Sequence, residues 1–126
     1  MSGKNIWTAF YWGDYLRDTS HLSPEQHGAY ILLLAHYYCS MEAIPADMKM
    51  IYRICRCSTK NEEKSTRFVL QTFFVLHEGK YYNSRAEKEL DRIVQLSKKR
   101  RDAVNNRYGK KKIPHLTIVP TIVDEL

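Results

Sequence analysis

Residues 29–38 read Ala-Tyr-Ile-Leu-Leu-Leu-Ala-His-Tyr-Tyr, a run in which only His36 and the tyrosine hydroxyls are polar. As a helix this segment is apolar on nearly every side, and such a helix has to be enclosed by the rest of its fold. It falls far short of the roughly 20 apolar residues that a membrane helix needs. The chain is therefore expected to build one water-soluble domain around it, which 126 residues suffice to do. The start of this helix is marked by Ser23-Pro24-Glu25-Gln26. A hydroxyl residue with Gln three positions on satisfies two orphan amides reciprocally, and proline at the first helical position has no N–H to strand. A helix is predicted over Pro24–Cys39.

The same chemistry recurs at Thr59-Lys60-Asn61-Glu62 and at Ser84-Arg85-Ala86-Glu87, and Asp47 is a plausible cap after Pro45-Ala46. A short helix is predicted from Asp47 to Ile54, with Met50, Ile51 and Ile54 inward. A third is predicted from Lys60 to about Phe74, with Val69, Leu70 and Phe73 inward. Two helices joined by so short a link have helix-turn-helix spacing. Val75-Leu76-His77 and Lys80-Tyr81-Tyr82 flank Glu78-Gly79, the pattern of a hairpin with a two-residue loop. The aromatic, β-prone stretch Ile6–Trp12 is expected to supply a third strand, since a lone hairpin is marginal. A long last helix is predicted from Arg85 to Asn106, with Ala86, Leu90, Ile93 and Val94 inward and its final turns projecting into solvent, ended by Gly109 and the lysines after it. The fold class is thus mainly α with a small β-hairpin, on the winged-helix plan, with a long basic C-terminal helix.

The formal charge of +6 is unevenly placed. Between Ala86 and Lys112, Lys88, Arg92, Lys98, Lys99, Arg100, Arg101, Arg107, Lys110, Lys111 and Lys112 are opposed only by Glu87, Glu89, Asp91 and Asp102, so this one segment carries the whole excess. A concentrated basic block points to a polyanion. It lacks the apolar face of an interfacial helix, so no membrane partner is expected. In the winged-helix plan the third helix enters the major groove and the wing touches backbone. Lys60, Lys64, Arg67 and Gln71 are spaced by four, three and four, and share the face opposite Val69, Leu70 and Phe73. Arg67 suits guanine and Gln71 adenine, because both side chains can make paired contacts to those base edges. Lys80 at the wing turn is placed to meet a phosphate. Lys98, Lys99, Arg100, Arg101, Arg107, Lys110, Lys111 and Lys112 would supply affinity without sequence specificity. Each of these also has an ordinary reading as a solvated surface cation.

Chemistry of other kinds is not indicated. Cys55-Arg56-Cys57 has no second pair at zinc spacing, and the histidines are scattered, with His36 read as a core residue. Cys39 and Cys55 read as small buried hydrophobes, and an odd cysteine count fits a reducing compartment. Phosphate-binding loops, nucleophile elbows and zinc-protease motifs are absent. Asp14, Asp18 and Glu25 are near one another in sequence, but two of the three are explained as turn and cap residues. No enzyme activity, cofactor or metal is expected.

Three stretches together resemble one family: Tyr11-Trp12-Gly13-Asp14-Tyr15-Leu16-Arg17-Asp18-Thr19 leading to His21-Leu22-Ser23; Glu25-Gln26-His27-Gly28-Ala29-Tyr30 followed by Leu32, Leu33 and Leu34; and Phe73-Phe74, Tyr81-Tyr82-Asn83 and Arg85, with the later Lys98–Arg101 run and Arg107-Tyr108. This pattern, over residues 8–110, is similar to the YdaU-like phage and prophage family, a domain of unknown function (DUF1376). The resemblance implies an N-terminal module like those of phage replication-initiation proteins, in the cytoplasm of a bacterial host, and carries over no catalytic residue. Read from the residues alone, Gly13 permits a turn, Asp18 and Thr19 form a local side-chain turn, and Gly28 lets another element approach. The expected organisation is a winged-helix-like domain over residues 1–97, a basic extension over 98–112 and an apolar, proline-containing tail over 113–126. The expected function is binding of nucleic acid, duplex DNA before RNA, in replication initiation or its control. The alternative is a protein-interaction module that self-associates or docks a replication protein, through the tail and the N-terminal aromatic residues Trp7, Phe10, Tyr11 and Trp12.

Overall fold

The computed structural model describes residues 7–108, with side chains through residue 105. The described elements are α1 (Trp12–Asp18), α2 (Pro24–Ser40), β1 (Ile44–Pro45), α3 (Met48–Ile54), α4 (Lys60–Phe73), β2 (Val75–His77), β3 (Lys80–Tyr82) and α5 (Ser84–Tyr108). The chain is mainly helical, with one small antiparallel sheet in the order β1-β3-β2.

The apolar run does form the central helix. Leu33 and Tyr37 of α2 are fully enclosed, as are Ile44, Ile51, Val69 and Ala86 from four other elements. Each of the leucine, isoleucine and valine side chains among them contributes about 1.5–3 kcal/mol relative to exposure. The polar caps expected at α2 and α4 are present: Ser23 and Thr59 accept from the amides of Gln26 and Glu62, whose side chains return to the cap amides. Asp47 caps α3, accepting from the amides of Lys49 and Met50. Between α3 and α4 the chain reverses through Arg56 at φ 57°. The hairpin turn has Glu78 at φ 49° and Gly79 at φ 78°, the two left-handed residues that match the strand twist.

The structure departs from the sequence expectation in several places. No strand forms over the described part of Ile6–Trp12: residues 7–11 have no regular structure, and Trp12 opens α1. Tyr15 and Thr19, four residues apart, are buried at 5% and 1% exposure, so tertiary burial of one helical face overrides the β preference of the aromatics. Gly13 lies inside this helix and makes no turn. Thr19 does bond locally, its hydroxyl donating to the Tyr15 carbonyl, whereas the Asp18 carboxylate reaches out to Arg85. The third strand is β1, pairing Ile44 with Tyr81 and Pro45 with Lys80.

At α5 the cap is Asn83, not Ser84. The Asn83 side chain accepts from the Ala86 amide at 2.8 Å, and Glu87 bonds the Tyr37 hydroxyl instead of closing a box. The inward stripe of α5 is Ala86, Leu90, Ile93 and Ser97, while Val94 is 47% exposed. Nothing approaches Gly28: a Cβ built there meets no atom within 4 Å. His36, Cys39 and Cys55 are half-buried rather than enclosed. The ending expected at Gly109 and the tail over 113–126 lie outside the described residues.

Candidate nucleic-acid interface

α4 separates its two faces cleanly. Thr66, Val69 and Leu70 are buried, and Lys60, Lys64, Arg67 and Gln71 are all exposed along the other side. Arg67 donates from Nη1 to the Tyr52 hydroxyl of α3 at 2.8 Å, which orients the guanidinium and leaves its remaining donors outward. On the hairpin, Lys80 is held at 3.2 Å by Glu42. Val75 and Leu76 of β2 are 67% and 57% exposed, so the hairpin presents apolar surface beside that paired lysine.

On α5, Lys98, Lys99 and Arg100 are exposed and Arg101 is half-buried. Among the described residues none of them pairs with a carboxylate. Arg107 falls in the last turn of α5, beyond the described side chains, and Lys110, Lys111 and Lys112 lie outside the described residues. The α4 row and the α5 block are thus two separate cationic features.

A second locus gathers most of the family-like residues. The Tyr15 hydroxyl bonds His27 Nδ1 at 2.7 Å, and its ring stacks on Tyr30. Tyr30 in turn lies flat on Phe73, with centroids 4.3 Å apart. Asn83 Nδ2 donates to the Tyr30 hydroxyl at 3.3 Å and to the Phe73 carbonyl at 3.0 Å. Arg85 meets Asp18 at 2.5 Å. These contacts fasten α1 and the C-terminal end of α4 to the base of α5. Asp14 is paired with Arg17, and Glu25 accepts from Ser65.

Between these elements lies a cleft of about 610 Å³, walled by Phe10, Tyr11, Tyr30, Tyr38, Arg85, Lys88 and Arg92 among others. Glu89 sits in its wall at 8% exposure, accepting from Arg92 at 2.7 and 2.9 Å and from the Ala9 amide at 2.6 Å. Those bonds, Arg92's first, hold its carboxyl below the usual carboxylate range despite burial. Burial, and then the Glu89 charge, push the Tyr38 hydroxyl up to about 12, so it stays a neutral donor. The cleft was not anticipated from the sequence. Its one sequence signal is the spacing of Arg85, Lys88 and Arg92 on one side of the last helix.

No group of His, Cys, Asp and Glu among the described residues is arranged to hold a metal ion. The three cysteines are free thiols. Cys55 donates to the Ala29 carbonyl and Cys57 meets Thr66; burial pushes the Cys55 thiol up to about 11, away from reactivity. No helix among the described residues is long and apolar enough to cross a membrane.

No solved structure matches the chain. Over 91 aligned residues it is 36% identical to the uncharacterized protein YdaU of Escherichia coli (strain K12), a match that covers 71% of this chain and 30% of that relative. The chain thus spans less than a third of the curated relative it matches. The family model of the protein of unknown function DUF1376 matches residues 6–91, a span that holds α1 to β3 and the cleft-facing start of α5. The chain belongs to the DUF1376 family.

Proposed function

We propose that this chain is a winged-helix-like DNA-binding module of phage or prophage origin, acting in replication initiation or its control within the bacterial cytoplasm. It is a binding protein in this reading and not an enzyme. The observation that carries the reading is the exposed row Lys60, Lys64, Arg67 and Gln71 on α4, set opposite the packed face. Support comes from the order helix, strand, helix, helix, strand, strand over α2–β3, with β1-β3-β2 as the sheet. That is the arrangement in which a third helix is offered to the major groove. Lys98, Lys99, Arg100 and Arg101 would lie along adjacent phosphates, with Arg107, Lys110, Lys111 and Lys112 continuing the arm.

The test is a gel shift with a duplex selected from a random pool, against an unselected duplex of equal length. Charge reversal of Lys64 and Arg67 together is expected to weaken the selected duplex more than the unselected one, since base contacts specify and phosphate contacts only position. Equal losses would exclude α4 as the reading element. Absence of any duplex binding at low salt would end the proposal.

A protein-interaction role is favoured by one specific observation: Trp12 and Leu16, one helical turn apart on α1, are 67% and 63% exposed. A concentration-dependent mass in sedimentation, abolished by Leu16→Glu, would support that alternative.

A further inference from the structure

We infer that the cleft between the N-terminal segment and α5 is a second nucleic-acid site, one that takes unpaired bases of a single strand. This rests on the nucleic-acid reading above but not on the duplex mode of α4.

Each of the chain's two tryptophans touches a residue that lines this cleft, Trp7 meeting Arg92 and Trp12 meeting Phe10. Trp7, Tyr11 and Trp12 are 65%, 62% and 67% exposed, an arrangement in which large rings offer their faces to solvent at no gain to the core. Arg92 lies over the Trp7 ring at 5.8 Å. Along α5, Arg85, Lys88, Arg92, Gln95 and Lys99 are spaced by three, four, three and four, which lines them on one stripe about 21 Å long at 1.5 Å per residue. The stripe lies opposite the buried Ala86, Leu90, Ile93 and Ser97, and its first turns form the cleft wall.

The cleft's own carboxylates are already engaged: Asp14 by Arg17, Asp18 by Arg85 and Glu89 by Arg92. Lys88 and Lys99 have no carboxylate partner among the described residues. Tyr38 also lines the cleft wall.

Exposed rings interleaved with a backbone-tracking row of cations are what a single strand requires, because every base has a face to stack and every linkage a charge. A duplex keeps its bases stacked on one another and has none to offer such rings. A protein partner would be met by an apolar centre depleted in lysine, which this stripe is not.

Because Trp7 and Trp12 are the only tryptophans, the intact chain reports on the site by itself. Titration with a 20-nucleotide oligo(dT) at low salt is expected to quench tryptophan fluorescence saturably. Trp12→Ala should weaken that binding about tenfold and Trp12→Tyr should restore most of it, with duplex gel shifts unchanged in both, and Lys88→Glu should weaken it several-fold. Trp12 is mostly solvent-exposed, so its replacement spares the core. Three results would overturn the inference: no quenching by oligo(dT), equal weakening of duplex and single-strand binding by Trp12→Ala, or a fluorescence change driven by protein concentration alone, which would mean that a second copy covers the rings. Quenching without duplex binding would sink the α4 reading and leave this one standing; duplex binding without quenching would do the reverse.

Discussion

Glu89 holds together two parts of the chain through three hydrogen bonds, two from Arg92 and one from the Ala9 amide. Because those bonds favour its charged form, its pKa is lower folded than unfolded. The stabilisation is complete above the unfolded carboxylate value of about 4.3 and fades as pH falls through the folded value. Glu89→Gln is therefore expected to lower stability at pH 7 by about 1–3 kcal/mol. The gap between the two proteins should narrow over the acid range, as pH falls below about 4.3. Urea unfolding of both across that range checks this; a gap that stayed constant with pH would mean the Glu89 charge is not what Arg92 and Ala9 stabilise. Glu62 also has a lowered pKa, but it is present in both proteins and drops out of the comparison.

At the scale of elements, Asn83 joins three of them. Its side chain caps α5, and its Nδ2 holds the Phe73 carbonyl at the end of α4 and the Tyr30 hydroxyl on α2. Asn83→Ala should cost about 2 kcal/mol or more, the cap alone accounting for about 1. Asn83→Asp keeps the cap acceptor but loses both Nδ2 donors, and should fall between; thermal unfolding of the pair ranks them. The same position shows where sequence reading reached and where it stopped. Ser23, Asp47 and Thr59 were legible because a cap and its partner are neighbours in sequence. Ser84 looked equally good, but Glu87 is drawn to Tyr37 and the cap role passes to Asn83, a choice set by residues some fifty positions away. β1, with only two residues, is too short to leave a pattern. α1 was hidden by its aromatics, whose β preference masked the four-residue spacing of Tyr15 and Thr19. For the candidate interface, the α4 row could be read from local spacing, whereas the cleft unites residues 9–18, 30–38 and 83–92, which no local pattern connects.

For the whole molecule, the decisive property is that one segment, Ala86–Lys112, carries the full +6 while the rest of the chain has no net charge. Engagement of five phosphates by that segment should give a slope of log K against log salt of about −4 to −5 on duplex DNA. A flat salt profile would show that the block does not neutralise phosphate.

The ties between the chain's early and late portions also bear on its synthesis. Ala9 bonds Glu89 across 80 positions and Asp18 bonds Arg85 across 67, closures whose loop entropy slows folding relative to a helical protein of local contacts. On the ribosome α1 can rest on α2 through Tyr15, but its ties to α5 close only late. Until the opening turns of α5 emerge, Ala86, Leu90 and Ile93 are missing from the core, and for that interval the nascent protein leaves the α5-facing side of α2 open to whatever chaperone meets it.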